Sequence, residues 1–321
     1  MRRRTLLGLA GTGALAGGIT VAWRDYDRIL ETARERSVRG STVIETRSGA
    51  MEYAEEGDGP PILMIHGSGG GFDQGLLFAR PLVEAGWRMI SPSRFGYLRS
   101  AFPVDHSSEA QADAFVDLLD HLRIDSLPVA GGSAGALSAL AFAIRHPSRC
   151  TALAAIVPAT HVPGRPAPRP PTALAEAIIR WGLQSDALFW AGIRLARDEM
   201  IASLLATDAE LVHEASEKEQ ERAMAILHGI LPVSAKIQGL LNDARLAGDP
   251  APMDLEAIRA PVLAISAEDD RFLTADAARH IAATAPDARS IIFPDGGHIW
   301  IGRDDELFAE VDLFLREAGR S

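Results

Sequence analysis

The stretch Gly131-Gly132-Ser133-Ala134-Gly135 sets one serine midway between two glycines. A serine hydroxyl is a poor nucleophile until a base removes its proton, and that base needs a carboxylate to fix its tautomer. Residues of both types lie far along the chain. Glu268-Asp269-Asp270 supplies acids and Asp295-Gly296-Gly297-His298 supplies a histidine. The chain order is therefore Ser133, Asp270, His298, with Asp269 as the second choice of acid. Such a set could transfer an acyl group: the serine attacks a carbonyl, the histidine moves a proton, and the carboxylate orients the histidine. A simpler reading gives Ser133 only the task of capping a helix.

The surrounding elements bear on that choice. An apolar run, Leu127 to Ala130, leads into the serine, and an Ala/Leu-rich segment, Ala136 to Ile144, leads out. That is a strand, a tight turn and a helix. A serine on such a turn projects clear of the backbone only if the residues two before and two after are almost free of side chain. The helix N-terminus behind it offers N–H groups to developing negative charge.

The same alternation extends both ways. Thr42 to Thr46 and Ala50 to Ala54 flank Ser48-Gly49 as an edge hairpin. Ile62 to Ile65 is apolar throughout, as suits a strand covered on both faces, and it ends in His66-Gly67-Ser68-Gly69. Helices are expected over Phe72 to Ala85 and Ser107 to Leu122, and strands over Trp87 to Ser91 and Leu153 to Val157. Beyond Pro158 comes a proline-rich stretch, Pro163 to Pro171, and then helical pattern alone from Thr172 to about Leu246, with Trp181, Phe189 and Trp190 inside it. The alternation resumes with a strand at Pro261 to Ser266, a helix at Ala275 to Ala285, a strand at Ser290 to Phe293 and a helix at Asp304 to Ala318.

The reading is an α/β chain with a doubly wound, mostly parallel sheet of about eight strands and an all-helical lid insertion. Its divisions are a signal or anchor with connector over 1–39, core over 40–158, lid over 159–253 and core again over 254–321. In such sheets ligands bind beyond the carboxyl ends of the strands. Ser68, Ser133, Asp270 and His298 all follow strands, so they share one rim.

Composition narrows the partners. Over 321 residues, 43 acidic against 32 basic side chains give a net charge of −11, which argues against nucleic acid. A lone cysteine, Cys150, excludes an intrachain disulfide and a cysteine-based zinc site. At the N-terminus, Arg2-Arg3-Arg4 precedes the 19 uncharged residues Thr5 to Trp23. That length approaches what a helix needs to cross roughly 30 Å of hydrocarbon. Arg3-Arg4-Thr5-Leu6-Leu7 resembles a twin-arginine export signal, and Ala14-Leu15-Ala16 offers a cleavage site. The expectation is export, or membrane association through residues 5–23 with the body outside; the alternative is a cytoplasmic extension.

The serine turn, the rim and the order of residues together make the chain resemble the α/β-hydrolase fold superfamily from about Thr42 to Ala318. The resemblance implies Ser133 as nucleophile, His298 as base and Asp270 as acid. It implies the backbone N–H groups of Ser68 and Ala134 as the oxyanion hole, with Gly67 and Gly69 of the same loop beside the substrate. His66 would shape that loop. Ala267 to Thr274 matches the family's G-x-x-D-x-x-x-P pattern around Asp270, with Ala267 and Thr274 replacing glycine and proline. A second departure is Ser93-Arg94-Phe95-Gly96-Tyr97-Leu98-Arg99-Ser100, where the family often reads D-x-x-G-x-G-x-S. The resemblance implies a serine hydrolase that cleaves an ester of a small or medium apolar acid through an acyl-enzyme, with a small-molecule substrate and without metal or organic cofactor. Ser133 rather than an aspartate argues against the dehalogenase and epoxide-hydrolase branches. The alternatives are a C–C bond hydrolase, a proline-iminopeptidase-like peptidase, a cofactor-free perhydrolase, and a non-catalytic ligand-binding protein on the same fold.

Overall fold

Successive residues of a strand point to opposite faces of a sheet, so a strand that is apolar at every position has to be covered on both sides. The computed structural model, which describes residues 23–165, 182 and 184–319, has this arrangement. Its strands are β1 Ser41–Thr46, β2 Gly49–Glu56, β3 Pro61–Ile65, β4 Arg88–Pro92, β5 Leu127–Gly132, β6 Cys150–Ile156, β7 Val262–Ala267 and β8 Ala288–Phe293. They form one sheet in the order β1-β2-β4-β3-β5-β6-β7-β8. The β1–β2 hairpin is antiparallel, β2 runs antiparallel to β4, and the remaining pairs are parallel.

The helices that cover the sheet are α2 Phe72–Glu84, α3 Ser108–Leu122, α4 Gly135–Arg145, α10 Thr274–Thr284 and α11 Asp304–Ala318. Alternate residues of each central strand enter two separate cores. Ile62, Met64, Ala130, Ala154, Ile156, Leu263 and Ile265 pack with α2 and α11 on one face. Leu63, Ile65, Val129, Leu153, Ala155, Val262 and Ala264 pack with α3, α4 and α10 on the other. A fully buried Val, Leu or Ile contributes roughly 1.5–3 kcal/mol. A strand with one polar face would therefore forfeit one of the two cores.

Between β6 and β7 the described chain is helical: α5 Asp186–Leu195, α6 Arg197–Leu204, α7 Ala209–Glu214, α8 Glu217–Gly229 and α9 Ile237–Gly248. Ser185, Asp208 and Ser216 accept hydrogen bonds from the first turns of α5, α7 and α8, which satisfies amides that a helix start leaves open. Ile193, Ile201, Val212, Ile226 and Leu227 join the core on the α2 and α11 side.

One region differs from the sequence reading, which set residues 1–39 apart from the fold. Residues 23–36 form a helix, α1, with Leu30 and Ala33 buried and Ile29 packed against the core. Its apolar stripe is narrow and lies among charges, so it reads poorly as amphipathic. The N-terminal run up to Ala22, the proline-rich stretch from Pro166 and Trp181 lie outside the described residues. Among the described residues, no helix is long and apolar enough to cross a membrane.

Candidate active site

Ser133 sits at the end of β5 with a φ of 52°, the left-handed region that side chains rarely adopt. Three backbone bonds hold this strained residue: its N–H donates to Ile156 (2.9 Å), and its carbonyl accepts from Ala136 (3.0 Å) and Ala159 (3.1 Å). The flanking glycines are needed for clearance. A Cβ at Gly131 would lie 2.7 Å from the Ala139 Cβ, and one at Gly135 only 2.4 Å from the His66 carbonyl oxygen. So Gly131 lets strand and helix meet, while Gly135 lets the helix pass the end of β3. Ser133 is therefore the apex of an elbow, not a side-chain cap: no side-chain cap bond is made at the start of α4.

The histidine and the acid come from the loops after β8 and β7. His298 Nε2 lies 2.8 Å from Ser133 Oγ, and His298 Nδ1 lies 2.8 Å from Asp270 Oδ2. A carboxylate only accepts, so Nδ1 carries the proton and Nε2 accepts from the serine. Asp270 also accepts from the Phe272 amide (2.8 Å) and from the Thr274 hydroxyl. Burial pushes the Asp270 carboxyl up, but His298 and these donors outweigh it and leave the group below the usual carboxylate range. Phe272 packs edge-on against His298, 4.8 Å between centroids. Asp269 does a different job: it accepts from the amides of Gly297 (2.8 Å) and Gly296 (3.3 Å). The contacts thus separate the two aspartates, with Asp270 on the histidine and Asp269 on the loop that carries it.

Facing this relay is the loop after β3. Among the described residues, neither the Ser68 nor the Ala134 amide donates to a protein acceptor. Ala134 is buried, where nearly all backbone donors are paired, so its open amide directly after the serine is a feature of the site. Ser68 is exposed and its amide is free to meet a ligand. A family model for the alpha/beta hydrolase fold matches residues 60–302. The chain belongs to that family. It is 30% identical over 259 residues to 2-hydroxy-6-oxononadienedioate/2-hydroxy-6-oxononatrienedioate hydrolase 1 of Dechloromonas aromatica, covering 77% of this chain and 84% of the relative. It is 32% identical over 148 residues to lipase 1 of Psychrobacter immobilis, covering 44% of this chain and 46% of that one. Among solved structures, an alpha/beta hydrolase fold protein from Nakamurella multipartita superposes with a TM-score of 0.69 at 25% identity, covering 87% and 99% of the two chains.

Both departures from the α/β-hydrolase pattern have a physical account. Thr274, in place of proline, brings a hydroxyl to Asp270, and Ser266 Oγ lies 2.8 Å behind that hydroxyl. Ser93, in place of aspartate, accepts from the Phe72 amide (3.0 Å) and donates to Glu52 (3.3 Å). Glu52, fully buried on β2, also accepts from Arg99 and Ser41. The missing carboxylate is thus supplied by the neighbouring strand.

Gly67 and Gly69, expected beside the substrate, have their amides tied into the protein. The Gly67 amide donates to Gln74 Oε1 (3.0 Å) and the Gly69 amide to Tyr97 (3.1 Å). With both amides committed inside the protein, a ligand beside these glycines meets their Cα faces and not their N–H groups. His66 shapes it too: Nε2 accepts from the Arg94 amide and Nδ1 donates to the Gly67 carbonyl. Burial, then the Arg94 charge, holds its pKa well below the usual histidine value, so the ring stays neutral.

Sequence reasoning missed Tyr97, Lys236 and Asp243. Lys236, fully buried on the insert, donates to the carbonyls of Gly229 (2.6 Å) and Gly69 (3.2 Å), and burial lowers its pKa to about 8. The only available signal was a tyrosine inside the Ser93–Ser100 loop; nothing marked the two insert residues. Among the described residues, no group of three or more His, Cys, Asp or Glu side chains could hold a metal ion.

Proposed function

We propose that this α/β hydrolase is a serine hydrolase that cleaves esters of small or medium apolar acids. The observation that carries the reading is the relay from Asp270 through His298 to Ser133, with the amides of Ser68 and Ala134 left without a protein acceptor. Ser133 attacks the carbonyl as His298 takes its proton. The two amides hold the tetrahedral oxyanion, and His298 returns the proton to the leaving alcohol. Water, activated by the same histidine, then releases the acid. The helical insert serves as the lid. It touches both sides of the site, with Ile230 against Gly69 and Thr207 against Gly297. A neutral substrate suits the charge around the loop, because the buried Arg94 guanidinium is paired at both nitrogens with Asp243.

The identity to the Dechloromonas relative favours a second reading, cleavage of a C–C bond next to a ketone by the same residues. A substrate series separates the two: p-nitrophenyl esters of graded chain length against a 2-hydroxy-6-oxo-dienoate. Faster turnover of the ketone would replace the ester reading. Ser133→Ala should abolish labelling by a fluorophosphonate probe with the fold intact, and persistent labelling would refute the assignment of the nucleophile. The N-terminus adds a proposal of location, export or outward-facing anchoring through residues 5–23. Cell fractionation tests it, and a full-length cytosolic product would count against it.

A further inference from the structure

Asp243, on insert helix α9, is buried with Arg94; their side chains are 2% and 7% exposed. The guanidinium meets the carboxylate through two bonds of 2.6 Å each. That pair would be complete alone, yet Asp243 Oδ2 accepts two further donors. Tyr97 Oη lies 2.5 Å away and Ser68 Oγ 3.0 Å away. The Tyr97 oxygen in turn accepts the Gly69 amide at 3.1 Å. Burial and the adjacent Asp243 charge hold the Tyr97 hydroxyl protonated, far above the usual tyrosine range, so it remains a donor to the carboxylate.

One carboxylate oxygen therefore fixes two consecutive points of the loop after β3: the Ser68 side chain directly, and the Gly69 amide through Tyr97. From the same insert, Lys236 holds the Gly69 carbonyl. We propose that Asp243 is a positioning residue for the oxyanion hole, acting from the lid through Ser68 Oγ and Tyr97 to fix the Ser68 amide. The inference rests on the acyl-transfer reading above. Its physical basis is the tolerance of such a hole: donors must lie about 2.7–3.1 Å from the developing oxyanion, and a misplacement of about 1 Å can cost on the order of a hundredfold in rate. In this arrangement the insert forms part of the oxyanion machinery as well as covering the pocket.

The test uses the full chain with p-nitrophenyl butyrate as probe ester. An aryl trifluoromethyl ketone serves as the inhibitor, because its serine adduct places an oxyanion in the hole. Tyr97→Phe and Asp243→Asn should lower kcat roughly ten- to a hundredfold, by the loop-misplacement argument, with KM changed less than about twofold. Ser68→Ala, which removes one tie and keeps the backbone amide, should lose several-fold. Inhibition by the ketone should weaken in step with kcat, as a purely structural role would not require. Unchanged kcat in Tyr97→Phe, or a loss confined to KM with ketone inhibition intact, would overturn the proposal alone. If Asp243→Asn fails to fold, Tyr97→Phe decides, since its ring still packs on Gly239 and Arg94. A native chain that neither hydrolyses the ester nor takes a fluorophosphonate overturns the acyl-transfer reading, and this proposal with it.

Discussion

The two halves of the site are held by different parts of the chain. Ser133, Asp270 and His298 stand on the loops after β5, β7 and β8, and the bonds that orient their side chains come from those same loops: Thr274, the Phe272 amide and the Asp269 clamp on Gly296 and Gly297. The loop with Ser68 and Gly69 follows β3; Gln74 of α2 holds Gly67, but the ties at Ser68 and Gly69 run to Tyr97, Lys236 and Asp243, two of them on the helical insert. The insert reaches both halves, but differently: on the Ser133–His298 side it bonds the loop backbone, through the Arg271 N–H to Ala206 and Arg222 to the Ile299 carbonyl, whereas on the Ser68 side it bonds Ser68 Oγ itself.

The comparison can be broken in order of size. The largest effect is expected on the sheet side. Asp270→Asn should cost on the order of 10⁴ in kcat by leaving His298 in the wrong tautomer. Asp269→Asn, which keeps an acceptor for only one of the Gly296 and Gly297 amides and leaves the His298–Asp270 bond in place, should cost far less, about tenfold; equal losses would erase the distinction between the two aspartates. Next comes the buried pair. Arg94→Met strands the Asp243 charge and should cost about 3–5 kcal/mol in urea unfolding, whereas adding Asp243→Leu should recover most of that loss. If the insert positions the loop, stability returns in the double variant and turnover does not.

Acidification gives a smaller effect. The His66 pKa lies well below 6.5 in the folded chain, so the unfolded state binds the extra proton first. The contribution is present above pH 6.5 and declines below it by about 1.4 kcal/mol per pH unit until the folded value is reached. The lowered Asp270 pKa acts only under its unfolded value of 3.8. Urea unfolding at pH 7.5 and 5.0 should show a steeper loss for the native chain than for His66→Gln; equal losses would deny His66 a buried neutral state. The smallest effect is at Gly132, where an added Cβ would lie 3.9 Å from Phe78, an ordinary contact. Gly132→Ala should shift stability by under about 1 kcal/mol, unlike Gly131→Ala beside it.

These differences also explain what the amino-acid sequence could reveal. Strand runs such as Ile62 to Ile65 and the elbow around Ser133 carry their constraints within a few residues, so pattern alone located them. The chain order of Ser133, Asp270 and His298 added a long-range check because the topology of such sheets is regular. Asp243 had no such help. It lies 175 positions from Ser68, on a helix whose pattern states only that it is a helix. The Ser93 departure was visible, but its compensation by Glu52 depended on β2 lying beside β4, a pairing that no local pattern encodes.

Helix α1 carries a mechanical consequence. Arg36 bonds Asp73 on α2 and reaches the carbonyls of Gly229 and Leu231 on the insert, while Tyr26 meets Trp190 edge-on, 5.6 Å between centroids. A pull on the N-terminus is therefore shared between the insert and helix α2 of the core. Any tether ahead of residue 23 would draw on α5 and on the end of α8, where the Gly229 carbonyl that Arg36 reaches also accepts from Lys236, so tension has a route to the loop that Lys236 holds.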